Sequence, residues 1–313
     1  MKELAPTFGS TNDPGMDVNQ RLSETLEIYI QYHGVEGSTP STIVHKRKEL
    51  GLFFRFLQDR GHSMETAKVT ISDCLAHLEN MRERDLAPAS VQTRCRSMRA
   101  FFKWATDWEF VKKNPTALLK MPRAPKISKP FLKKEDFEAV LNLCPLGDLL
   151  GSRRQSVLWI LATTGMRRQE LAGLMLEDLN WKDGWIRVMG KGQKERRVPF
   201  AKRAQRVVLR YIQRRHDTYP HLWVTEEGRP ITNHGLGEDI SRMFKRAKVE
   251  VVDVFHIFRR TWAANSVRQG IPRPYTQAIA GWSTPTMMDR YTAAMQAEEG
   301  AIQAFETFDP FGQ

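Results

Sequence analysis

Apolar side chains in this chain return at steps of three and four residues almost throughout, and the period switches to two in a single short patch. Steps of three and four lay one apolar stripe along an α-helix, whereas a half-buried strand needs strict alternation. The pattern therefore confines the chain to a mainly helical fold with one small β element. Leu22, Leu26, Ile28 and Tyr29 mark a first helix to about Tyr32, and Thr39-Pro40-Ser41 opens a second that runs to Gly61. A Ser or Thr followed by proline in the first turn is a helix-start signature. The second helix turns Leu50, Phe53, Phe54 and Leu57 inward. A third spans 71–84 with Leu75, Leu78 and Met81 inward, and a fourth opens at Pro88-Ala89-Ser90 and carries Val91, Met98, Phe101, Phe102 and Trp104. Four such helices predict a small bundle.

The fourth helix also bears Arg94, Arg96, Arg99 and Lys103, and the stretch 111–134 adds eight Lys or Arg with no Asp or Glu. Prolines at 115, 122, 125 and 130 stiffen that stretch, which reads as a basic linker between two domains. A charge run by itself is a solvated face; one that continues a basic helix into a linker suits a DNA backbone. The whole-chain balance agrees: 48 Lys and Arg against 36 Asp and Glu give +12, which suits a polyanionic partner. The 313 residues suffice for two domains of ordinary size. The three cysteines, Cys74, Cys95 and Cys144, show neither pairing nor metal spacing and read as buried thiols in a reducing compartment. No secretory signal or membrane-length apolar run is legible, so a cytoplasmic protein is expected.

Beyond the linker, helices are expected at 134–142, 153–164, 168–175, 201–215, 237–248, 257–269, 273–281 and 284–294. The β patch lies between them. Trp185, Ile186, Val188 and Met189 make one strand, Gly190-Lys191-Gly192-Gln193-Lys194 a turn, and Arg196, Val198 and Phe200 the returning strand.

Three features far apart in sequence carry chemistry. In TTGMRRQEL (163–171), Gly165 ends an apolar helix and Arg167 stands at the start of the next, where its side chain can be aimed into a cleft. Glu170, three residues on, shares its side of the helix and can hold the guanidinium. Lys191 stands at the tip of the β turn. His256 and Arg259 share a helical face, with Gly281-Trp282-Ser283 and then Tyr291 following. Taken singly, these are an ordinary Arg–Glu helix pair, a turn lysine and a packed tyrosine. Taken together they suit attack on a phosphodiester, which needs a nucleophile, donors for the non-bridging oxygens and an acid for the leaving oxygen. Two arginines offer planar donor forks, His and Trp add further donors, and a lysine can protonate the leaving 5′ oxygen. A tyrosyl ester is reversible because phenolate leaves well. No carboxylate or His/Cys cluster has metal-ligand spacing, so no metal or other cofactor is expected.

In these motifs, residues 17–300 resemble the tyrosine recombinase (phage integrase) family, most of all its Xer-type members. TTGMRRQEL resembles the first-arginine box, with Arg167 in the catalytic position and Glu170 supporting it. VMGKGQKERRVPF resembles the β-hairpin box, with Lys191 as general acid and Lys194 as second choice; HIFRR resembles the His-x-x-Arg box of His256 and Arg259. GWS stands nine residues, from Trp282 to Tyr291, before the nucleophile. Trp282 replaces the His usual in Xer-type proteins and matches Cre-like ones, while Arg260 replaces a common His and has no reading from sequence.

The resemblance implies an all-helical, SAM-like core-binding domain followed by an α+β catalytic domain that is mostly helical with a small antiparallel sheet. The expected boundaries are a flexible arm at 1–16, the core-binding domain at 17–110, a linker at 111–130, the catalytic domain at 131–300 and a tail at 301–313 that docks on a neighbouring protomer. It implies Tyr291 as nucleophile in a site-specific recombinase that passes through a 3′-phosphotyrosine and a Holliday junction without metal or ATP. A homotetramer would act on two duplex sites in a cytoplasmic, nucleoid-associated setting. DNA contact is expected from Lys46, Arg94, Arg96, Arg99, Lys103, Lys112, Lys113 and Lys120. A type IB topoisomerase shares the chemistry, but the bundle and the tail favour the recombinase; a silent DNA-binding protein would not need the six-residue set.

Overall fold

The computed structural model describes residues 21–123, 130–190, 194–289 and 292. The chain divides into two compact units, 1–127 and 128–313.

The first unit holds α1 (Leu22–Val35), α2 (Pro40–Asp59), α3 (Ile71–Glu83) and α4 (Pro88–Asp107). Thr39 caps α2 by accepting from the Thr42 N–H, and Thr70 caps α3 through Asp73. The inward residues expected on α2 and α4 are all buried. On α3, Leu78 and Met81 are buried but Leu75 is exposed, and Cys74 takes the inward place. The stripe on α3 is thus 74–78–81 rather than 75–78–81, a rotation of one residue that periodicity alone does not resolve. Tyr29, Phe53, Phe54, Phe101, Phe102 and Trp104 form the aromatic centre of this core, largely in edge-on contacts. Of the stretch expected as a linker, Val111 and Leu119 are buried in that same core with Met121 packed on it. All three cysteines are free and buried, and burial pushes the Cys74 thiol up to about 12.

The second unit is built on α5 (Lys134–Asn142), α6 (Leu149–Thr164), α7 (Arg168–Ala172), β1 (Leu179–Asn180), β2 (Trp185–Met189), β3 (Glu195–Pro199), α8 (Lys202–Ile212), α9 (Asn233–Arg246), α10 (Val254–Arg268) and α11 (Arg273–Ala280). α6 packs against α8, α10 and β3, with Val157, Leu158, Ile160 and Leu161 buried. The strands form an antiparallel sheet in the order β1-β2-β3, with Val188 opposite Arg196. The two-residue β1 is too short to leave a periodic signal. α7 ends at Ala172, short of the expected residue 175, because the Leu174 N–H takes the Leu171 carbonyl three residues back and the Leu176 N–H leaves the helix for the Pro220 carbonyl. α6 begins at Leu149, before the expected residue 153, because the Asp148 side chain caps it. Pro130 to Leu132 are fastened to α10: Arg260 donates to the Pro130 carbonyl and the Leu132 N–H donates to Thr261 Oγ1 at 2.8 Å. That anchoring gives Arg260 a place that the sequence did not explain. Among the described residues no helix is long and apolar enough to cross a membrane.

Candidate active site

Two helix ends in the second unit build the site. α6 stops at Gly165, whose φ of 57° lies in the left-handed region, and a Cβ there would fall 2.7 Å from the Trp262 ring. α11 stops in the same way at Gly281, with φ 64°. The last carbonyls of a helix have no partner within it and carry the negative end of its dipole, so they attract cations. Arg259, on α10, satisfies one carbonyl from each end: Nη1 donates to Gly165 O at 2.8 Å and Nη2 to Ala280 O. Its guanidinium also sits over the Trp282 ring, 5.0 Å from the centroid. Arg259 is only 3% exposed, so a full charge is held in the protein by oriented backbone dipoles and an aromatic face.

Arg167 enters from the other side. As the residue before α7 it donates its N–H to Glu170 Oε2 at 2.8 Å, while Nη1 binds Glu170 Oε1 at 2.7 Å and Nη2 reaches Gly281 O at 3.2 Å. The guanidinium is 41% exposed and the carboxylate 5%. Burial pushes the Glu170 carboxyl up, but Arg196 and Arg167 more than offset it and leave it below the usual carboxylate range.

His256 stands in the first turn of α10, exposed, with Asp253 capping that helix by accepting from the His256 N–H at 3.0 Å. The Asp253 carboxylate lies 3.4 Å from Nδ1, and the imidazole beside it holds the carboxyl down at about 2.

These side chains meet. Arg167, His256, Arg259 and Trp282 line one cleft of about 360 Å³, together with Arg168, Gln169, Asn233, Asp253 and Met287. Four of the six expected catalytic positions are therefore brought together from three separate parts of the chain. The other two, Lys191 and Tyr291, lie outside the described residues, as does the tail at 301–313. Sequence reasoning missed Asp253, which orients His256, although an Asp three residues before a helical His is a legible cap. It also missed the part taken by Arg196, whose partners lie far away in sequence.

The expected DNA contacts divide by exposure. Arg96, Arg99, Lys103, Lys112, Lys113 and Lys120 are exposed, with Lys103 paired to Asp107 at 2.7 Å. Lys46 is half-buried against Tyr29, its Nζ 2.9 Å from the hydroxyl, and burial pulls its ammonium down. Arg94 is half-buried between Glu49 at 3.2 Å and the Met81 sulfur. Among the described residues no three His, Cys, Asp or Glu side chains are gathered as metal ligands would be.

Comparison with known proteins agrees with this geometry. Residues 130–298, over half of the chain, match the model of the phage integrase family, and residues 26–109 match that of the phage integrase N-terminal SAM-like domain. The tyrosine recombinase XerC of Oceanobacillus iheyensis is 27% identical over 281 residues, which cover 87% of this chain and 92% of that protein. The fold is also that of a lambda integrase(75-356) dimer bound to a COC′ core site, with TM-score 0.73, 14% identity and coverage of 87% and 95%. A lambda integrase tetramer bound to a Holliday junction gives TM-score 0.73 at 15% identity, covering 88% of this chain and 78% of that one. With two arginines, a histidine and a tryptophan converging on one cleft in an integrase fold, the chain belongs to the phage integrase family, the tyrosine-type site-specific DNA recombinases.

Proposed function

We propose that the protein cuts duplex DNA at specific recombination sites and rejoins it through a 3′-phosphotyrosine on Tyr291. The observation that carries this is the meeting of Arg167, His256, Arg259 and Trp282 around one cleft. A phosphate seated there would set its non-bridging oxygens against two guanidinium groups, which stabilise the charge that builds at phosphorus during attack. The arginines are fixed by carbonyls and Glu170 before substrate arrives, so little reorganisation is needed at the moment of reaction. Tyr291 would form the bond to phosphorus while the 5′ oxygen leaves, protonated by Lys191. The 5′ hydroxyl of a partner strand then displaces the tyrosyl oxygen. Bond energy is conserved in the ester, and the guanidinium groups supply the positive charge, so the reading needs neither ATP nor a metal.

Strand exchange in two steps implies a Holliday junction and four protomers on two sites, and likeness in fold to the lambda integrase tetramer on such a junction supports this. The tail at 301–313 would pass to a neighbouring protomer, since the three-residue spacing of Ile302, Phe305 and Phe308 in the sequence suits a short apolar face. The exposed arginines and lysines of 96–120 would hold the DNA backbone, whereas Lys46 and Arg94, held against Tyr29 and Glu49, would contribute little to it. The setting would be the bacterial cytoplasm, at the nucleoid. A nicked suicide substrate tests the core of the reading. Wild type should become covalently attached to the 3′ end on a denaturing gel, and Tyr291→Phe should bind the same DNA without attachment. Attachment by Tyr291→Phe at the normal rate would remove Tyr291 from its role.

A further inference from the structure

On β3 the side chains of Arg196 and Val198 share the inward face, and Arg197 turns outward over Trp185. An arginine on the core side of a strand must find partners, and all three nitrogens of Arg196 have one inside the protein. Nη1 and Nη2 bind the two oxygens of Glu170 at 3.0 and 2.7 Å, and Nε donates to the Ile279 carbonyl at 2.7 Å. The guanidinium lies flat against Gly281, where an added Cβ would meet Cζ, Nε and Nη1 each at 3.1 Å. On its other side stands Gly190, where a Cβ would fall 3.3 Å from Nη1. Gly190 is the base of the hairpin, closed by its N–H to the Lys194 carbonyl at 2.9 Å. The carbonyls of Ile279, Ala280 and Gly281 thus go to three different arginines, 196, 259 and 167. Arg196 is not among the residues that line the cleft.

We propose that Arg196 is a positioning residue for strand cleavage. From β3 it fastens the Glu170 carboxylate, and through it Arg167, to the end of α11 that leads to Trp282 and to the base of the hairpin that leads to Lys191. Three segments distant in sequence, each adjoining a residue of the proposed chemistry, are locked by one planar fork. A lysine, a single point of charge, cannot make the two-sided contact. The inference rests on the cleavage reading above.

The test uses the full chain and a nicked suicide substrate, with protein in excess over DNA. Rate of covalent attachment, DNA affinity and thermal midpoint are measured for wild type, Arg196→Met and Arg196→Lys. Arg196→Met should attach roughly 10²-fold more slowly at saturating protein, as small misplacements of reacting groups do, with DNA affinity nearly unchanged. Arg196→Lys should fall between the two. The pH profile separates positioning from mere folding. Glu170 faces Arg167 from the start of α7 and Arg196 from β3. With Arg196 gone, burial acts against one cation, the carboxyl titrates higher, and attachment should fail at a higher pH on the acid side than in wild type. Glu170→Gln combined with Arg196→Met should cost less than the product of the single losses.

Absence of any adduct in wild type would overturn the cleavage reading itself. A normal wild type with Arg196→Lys attaching at the wild-type rate and an unmoved acid limb would overturn the role of Arg196 alone. So would rate losses that merely follow the fraction of protein folded. Should Arg196→Met fail to fold, Arg196→Lys decides, because it keeps a cation beside Glu170 while giving up the second partner.

Discussion

The two units bury different things. Among the described residues, no Lys, Arg, Asp or Glu of the first unit is buried, and its core is apolar and aromatic. The second buries Arg153, Asp178, Asp239, Arg259 and Arg260. Burying a charge costs several kcal/mol unless it is paired or hydrogen-bonded, so the second unit must supply partners at fixed places. It does so with carboxylates and with the open ends of helices. Arg153 donates to the Val224 carbonyl at 2.6 Å and shares Asp239 with Arg154, and Arg259 bridges the ends of α6 and α11. The first unit is organised by area removed from water, which is non-directional. The second is organised around where cations must point. Such a difference is expected if the first unit grips and the second reacts.

The largest test falls on the apolar side of the comparison. Phe101 is fully buried, with its ring 5.3 Å from Tyr29, 5.6 Å from Phe54 and 5.1 Å from Phe102. Phe101→Ala should lower unfolding stability by about 3–5 kcal/mol, read by urea denaturation. The rate of covalent attachment within DNA-bound, folded protein should hardly change. A rate loss per bound complex as large as that of the arginine variants would break the contrast between the units.

Next come the arginines. Arg167→Ala and Arg259→Ala should each slow attachment by roughly 10²-fold or more, the cost of losing a preorganised donor to developing charge, with a smaller loss of DNA affinity. They should differ from each other in stability. Arg259→Ala strips the hydrogen bonds from two carbonyls, at about 1–3 kcal/mol for each group left buried and unsatisfied. Arg167 is far more exposed, so its removal should cost less. Equal melting temperatures for the two variants would mean that the Gly165 and Ala280 carbonyls find water, and that Arg259 does not hold the two helix ends together.

Periodicity and caps carried most of the first unit. α2 and α4 begin at the very prolines that announced them, and their inward residues are the expected ones. The error at Leu75 arose because Cys74 and Leu75 fit a three-and-four stripe equally well, and packing against α2 and α4 chose between them. In the second unit α5 was legible to the residue, whereas β1 was not, because two residues cannot show a period. Arg167, Glu170, His256, Arg259 and Trp282 were legible because their chemistry and order are distinctive. What joins them was not. Arg259 donates to the main-chain carbonyls of Gly165 and Ala280 and Arg196 to that of Ile279 as well as to Glu170; carbonyls belong to every residue, so nothing in the side-chain alphabet marks those contacts. Arg260 was opaque for the same reason: it donates to the carbonyl of Pro130, 130 positions away.

The smallest expected effect lies on the gripping surface, and exposure sharpens the prediction there. Lys112, Lys113 and Lys120 are exposed, whereas Arg94 is drawn between Glu49 and Met81. A cation that neutralises a phosphate releases counterions, so each neutralised phosphate adds up to about 0.9 to the slope of log affinity against log salt. Replacing the three lysines together with glutamine should flatten that slope by up to about 0.9 for each phosphate no longer neutralised. Their neighbours Val111 and Leu119 remain buried, so the melting temperature should stay put. Arg94→Gln should do the reverse. It removes the partner of a mostly buried Glu49 and should cost stability, while the salt slope changes little. The two sets of measurements need only filter binding across a range of salt and a thermal melt. A steep fall in slope from Arg94→Gln, or none from the three lysines, would mean that Arg94 leaves Glu49 to meet the DNA and that the lysines face only water.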